Sequence, residues 1–207
     1  KFAYAKYLAF GDLNNNCYEA VFKHVGLHVI HADGGVSLRL KEKSRNEQKD
    51  ALSKTVAIHF KDEYYPFEVV RHIKTWNDCG VVETWLEIKH NEPSPVKLVR
   101  ADSYASRVPF QAKTVKVMSL AGQGNNEANL CESKVDRGQY VQLVSNAGTR
   151  DAWESNPGMM VSFDDKTDEE NGRVLGLALE WSGTNCRRIR RHWDGKITEI
   201  FAGVDMT

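Results

Sequence analysis

The sequence predicts an all-β protein of two stacked antiparallel sheets, in a single domain spanning residues 1–207. Three observations carry this. Short segments rich in Val, Ile, Phe and Trp alternate apolar and polar residues with the period of a strand that is buried on one face and wet on the other. Turn residues punctuate them at short intervals. No long stretch repeats its apolar residues at helical spacing.

In chain order, the first candidates are Ala20–Val25 and Leu27–His31, parted by Gly26, then Val36–Lys41 after the Asp33-Gly34-Gly35 turn. Residues 39–50 could form one or two helical turns, but they carry charge all round and predict a mobile loop. Lys54–Phe60, Phe67–Lys74 and Val81–Lys89 alternate most clearly. Val96–Arg100, Thr114–Leu120, Tyr140–Val144, Met159–Phe163, Arg173–Glu180 and Ile197–Phe201 complete the set. Asn171-Gly172 and Asp194-Gly195 supply the positive φ that tight hairpin turns require.

Composition narrows the partners. Lys+Arg and Asp+Glu are both 28, and a neutral chain lacks the basic surface that nucleic acid demands. Apolar runs are only a few residues long, so no segment reads as a membrane span. Cys17, Cys79, Cys131 and Cys186 are scattered, without zinc spacing, and read as buried or half-buried free thiols, with two disulfides as the alternative. Neither a P-loop nor a dinucleotide fingerprint occurs, and no cofactor is expected.

The segment from Gly148 to Gly158 holds the candidate binding residues Arg150, Asp151 and Trp153. Trp offers a flat apolar face, and Arg and Asp offer directional hydrogen bonds. Two readings stand: a plug for a gap in the protein's own fold, or a lip for a sugar ring or a neighbouring domain. Glu83 and Glu87 fall four apart on one strand and so share a face, unlike the opposed carboxylates of a glycosidase. His24, His28 and His31 read as exposed or hydrogen-bonded strand histidines, with a metal site as the alternative. In 187–191, four arginines read as solvated side chains on a strand packed with Trp181 and Trp193, with a site for phosphate or acidic groups as the alternative. No catalytic residue is identified.

The order of segments then becomes specific. Ile88-Lys89-His90-Asn91 precedes Leu98-Val99-Arg100-Ala101-Asp102-Ser103-Tyr104. A strand follows, then the loop from Gly148 to Asn156-Pro157, then another strand. Next come Gly172-Arg173-Val174-Leu175-Gly176, Trp181-Ser182-Gly183-Thr184-Asn185 and a final strand into Gly203-Val204. From about residue 55 onward this series resembles the N-terminal β domain of glycoside hydrolase family 36, the α-galactosidase family. The chain departs from the family pattern at Ala147, where an Arg is usual, and at Gly158, where a Phe is usual. Its first 50 residues match poorly.

The resemblance implies a galactose-mutarotase-like β-supersandwich. It implies a longer parent enzyme whose C-terminal (β/α)8 barrel carries both catalytic aspartates and hydrolyses α-galactosides with retention. In that setting the domain would buttress the barrel, contribute Trp153, Arg150 and Asp151 to the active-site rim and take part in homo-oligomer contacts. It also leans towards a periplasmic or secreted location. An independent carbohydrate-binding module and a purely structural interaction domain are the alternatives. An exposed aromatic platform on one sheet would favour the module.

Overall fold

The computed structural model describes residues 26–109, 112–123, 126–145, 156–181 and 183–206. Thirteen strands form among them: β1 (Leu27–Ile30), β2 (Leu40–Lys49), β3 (Ser53–Asp62), β4 (Phe67–Trp76), β5 (Val82–His90), β6 (Lys97–Val108), β7 (Lys116–Gln123), β8 (Asn126–Lys134), β9 (Tyr140–Ser145), β10 (Gly158–Ser162), β11 (Val174–Ala178), β12 (Asn185–Arg191) and β13 (Thr198–Asp205). The all-β, antiparallel sandwich class expected from the sequence is what the structure shows. Its ladders fall into three hydrogen-bonded sheets, ordered β1-β6-β13-β12-β9, β11-β10-β7-β8 and β2-β3-β4-β5. No helix among the described residues is long and apolar enough to cross a membrane.

The chain divides into two compact units, the first ending at Tyr104 and the second running from Ala105 to Met206. In the first, alternation along β4 turns Phe67, Val69 and Ile73 into a core shared with Leu27, Val29, Leu38, Ile58 and Phe60. Burying each large apolar side chain contributes roughly 1.5–3 kcal/mol. The register Ile58↔Arg71↔Leu86 puts Arg71 on the same inward face. Burial lowers its pKa to about 10. At the β3–β4 turn, Asp62 accepts the N–H groups of Tyr64 and Tyr65 at 2.8 and 2.9 Å, closing the hairpin.

Two elements differ from the sequence reading because they are edges. Residues 39–50 do not form a mobile loop: Leu40–Lys49 is strand β2, paired with β3 from Leu40↔Asp62 to Lys49↔Lys54. Its side chains are almost all exposed, so it shows no apolar alternation, and its charges disfavour pairing with a further chain. Strand β8, absent from the sequence reading, is the corresponding edge beside β7, and its described side chains are likewise exposed.

In the second unit the arginine-rich strand is buried, not solvated. β12 lies between β9 and β13, and Arg187, Arg188 and Arg191 are enclosed. Trp181 and Trp193, expected to pack beside them, are exposed instead. Carbonyl groups receive the guanidinium donors. Arg191 donates to the carbonyls of Val135 at 3.1 Å, Ala112 at 2.5 Å and Lys113 at 3.1 Å. Backbone oxygens at the margins of β7 and β8 are thereby tied to β12. On the facing register row, Glu199 of β13 lies opposite Arg190 and 3.3 Å from Arg107 Nε. Burial raises the Glu199 carboxyl above its usual range, against the opposing effect of Arg107 and Arg190.

Cys79 and Cys131 are exposed thiols rather than buried ones, and Cys186 is buried.

Candidate functional surface

The three residues proposed from sequence, Arg150, Asp151 and Trp153, lie outside the described residues, as does His24. The structure does describe the residues that flank them. Asn156 donates its N–H to the Leu120 carbonyl at 2.8 Å, and its side-chain oxygen accepts the Gly158 N–H at 3.0 Å. Arg187, rising from β12, donates to the carbonyls of Asn156 and Gly158, the latter at 3.3 Å, and reaches Leu143 of β9 at 3.5 Å. One buried guanidinium therefore engages backbone on both sides of the segment. Gly176, on β11, has open space where a Cβ would stand.

The histidines separate. His28 is exposed on β1, and His31 is buried beside Glu92. His31 Nδ1 lies 2.8 Å from Glu92 Oε1, and its ring stacks on Tyr65 at 3.5 Å with planes 2° apart. Glu92 Oε2 accepts the Ala32 N–H at 2.8 Å. Burial opposes the Glu92 charge, yet the Ala32 N–H and the His31 ring hold its pKa below the usual glutamate value. Nearby, the Gly35 N–H lowers the pKa of Asp33. This node fixes the Asp33-Gly34-Gly35 turn, where Gly34 adopts φ +85°. Among the described residues no group of three or more His, Cys, Asp or Glu could hold a metal ion.

Among the described residues, aromatic and charged side chains gather on the outer face of the sheet β2-β3-β4-β5. Alternation along β5 sends Glu83, Trp85, Glu87 and Lys89 outward, while Leu86 and Ile88 pack against the core. Register places His72 of β4 opposite Trp85 and Lys74 opposite Glu83. The His72 and Trp85 rings stack with centroids 4.6 Å apart and parallel planes. His72 Nε2 lies 2.8 Å from Glu87 Oε1. At the other end, the Trp76 indole N–H donates to Glu83 Oε1 at 2.9 Å, and the Lys74 ammonium stands 3.9 Å from the centre of the Trp76 ring. Both carboxylates on this strand thus orient aromatic neighbours, consistent with the shared face expected of Glu83 and Glu87. A Trp on the polar phase of an alternating strand is the signal in the sequence that marks this surface.

Against known proteins, the chain matches the profile of the "Glycosyl hydrolase family 36 N-terminal domain" over residues 17–206. The chain belongs to that family. A search of curated protein sequences gives no match. Among solved structures, the α-galactosidase of Lactobacillus brevis is similar at 18% identity and TM-score 0.75, over 96% of this chain and 27% of that one. A family 36 α-galactosidase of Geobacillus stearothermophilus is similar at 17% identity and TM-score 0.74, over 87% of this chain and 26% of that one. The galactosidase domain of an α-galactosidase–sucrose kinase gives 19% identity and TM-score 0.77, over 96% of this chain and 28% of that one. At such identities the likeness is one of fold. This family 36 N-terminal domain spans about a quarter of the length of the structures it resembles.

Proposed function

We propose that the chain is the accessory domain of an α-galactosidase-like retaining glycoside hydrolase. The match to the family 36 N-terminal domain over residues 17–206 is the observation that carries this reading. It is supported by the fold shared with three α-galactosidase chains, each several times longer. In this reading the remaining polypeptide is a C-terminal (β/α)8 barrel. Its two carboxylates, about 5–5.5 Å apart as retention requires, form and then hydrolyse a glycosyl-enzyme intermediate. This domain buttresses that barrel and takes part in oligomer contacts. Its loop residues Trp153, Arg150 and Asp151 reach the rim, where the indole stacks on a sugar face and the charged pair binds hydroxyls.

The test is kinetic, on the polypeptide that carries this chain joined to its barrel. Trp153→Ala is expected to raise KM for raffinose about tenfold while kcat for an activated aryl α-galactoside changes little, because only the longer substrate needs the rim. An unchanged KM would remove Trp153 from the rim.

A further inference from the structure

We propose that the outer face of β2-β3-β4-β5 is a surface site for neutral α-galactoside oligosaccharides, with Trp85 as its platform. The choice of an α-galactoside rests on the function proposed above; the site itself rests on geometry. Trp85 is 37% exposed, although its ring is already fixed by a parallel stack on His72. Glu87, close to the His72 ring, is itself largely exposed, so a carboxylate stands beside the indole with acceptor capacity to spare. An aromatic ring stacked on one side by His72 and set next to an exposed carboxylate suits a sugar, whose C–H face stacks while its hydroxyls donate.

A second indole, half-buried with the Lys74 ammonium over its ring, lies on the same face. Trp76 stands on β4 four residues beyond His72, about 13 Å along the strand, and is held by Glu83 and Lys74. One sugar ring cannot touch both indoles, so the face favours a chain of sugars over a monosaccharide. Acids and lysines are interspersed here, Glu83 beside Lys74 and Glu68 between Lys61 and Lys89, and that mixed charge suits a neutral ligand better than an anionic one.

The experiment is titration of the 15N-labelled 207-residue chain with stachyose, following the five indole N–H resonances, with maltotetraose as the ligand lacking galactose. A saturable shift of the Trp85 resonance in the millimolar range is expected, weaker with maltotetraose. Trp85→Ala is expected to lower affinity at least about tenfold. Trp193→Ala, which removes an indole 74% exposed elsewhere, is expected to leave affinity unchanged. Glu87→Gln keeps the platform and guards against a misfolded Trp85→Ala; it is expected to lower affinity several-fold with an unchanged unfolding midpoint.

No saturable shift, or binding that survives Trp85→Ala, would overturn the site. If the same titration is silent and Trp85 is buried in the barrel-bearing polypeptide, the face is a protein contact and the proposal fails. Equal affinity for maltotetraose would overturn the galactoside assignment. None of these outcomes alters hydrolysis by the parent enzyme, so the accessory role stands or falls separately.

Discussion

Glu92 shows how much one side chain can hold in this fold. It joins the end of β5 to the turn after β1 through the Ala32 N–H and the His31 ring. Its pKa is lower folded than unfolded, so the unfolded state binds protons first as pH falls. Its contribution is therefore fully present above the ordinary value of 4.5 and is lost as pH drops through the lower folded value. Glu92→Gln is expected to lower the unfolding midpoint at pH 7 by several degrees and to flatten the acid limb of a stability-versus-pH curve. Parallel acid limbs for the two proteins would contradict the assignment. Two glycines give a matched contrast. At Gly172, with φ +98°, a Cβ would come within 2.8 Å of Thr167 Oγ1 and 3.1 Å of the Thr167 backbone, so Gly172→Ala is expected to cost roughly 1–3 kcal/mol. Gly176 has open space and no positive φ, and Gly176→Ala is expected to stay within about 0.5 kcal/mol. Chemical denaturation of both variants checks the pair.

At the scale of elements, β12 is the strand on which the second unit depends. Arg191 supplies donors to three carbonyl oxygens from segments distant in sequence. Arg191→Met is expected to destabilise by roughly 2–4 kcal/mol, and Arg191→Lys to recover less than half, since one ammonium cannot span the fork. Full recovery by Lys would mean that charge alone matters. The edge strand β2 fails differently. Replacing the cationic row of β2 with Lys41→Val, Lys43→Val and Arg45→Val is expected to leave the fold intact but to cause concentration-dependent association in sedimentation, because a more apolar edge invites another strand. These strands also explain what was legible. β3, β4 and β5 could be read from alternation because one face of each is buried. β2 and β8 could not, because an exposed edge imposes no apolar pattern. β12 misled for the opposite reason: its arginines read as wet because nothing local to them announces the carbonyls that receive them from distant segments. Trp85 was visible as a strand residue, but its partners His72 and Glu87 are brought beside it only by register.

For the whole molecule, segment order carried more than any single site. The series from His90-Asn91 through Asn156-Pro157 to Gly203 pointed to family 36, and the profile match over residues 17–206 shows that membership. What it could not supply is a reaction centre. No residue of the chain matched a catalytic aspartate of the family, and the proposed chemistry is assigned to a C-terminal barrel instead. A fold of this type hosts many functions, so the accessory role must be tested by activity rather than by likeness. The most direct measurement is hydrolysis of an aryl α-galactoside, with the anomer of the first product followed by NMR, for the barrel-bearing polypeptide and for the 207-residue chain side by side. Release of α-galactose by the longer polypeptide and no turnover by the chain alone is the predicted result. Turnover by the purified chain, or an inactive barrel-bearing polypeptide, would contradict it.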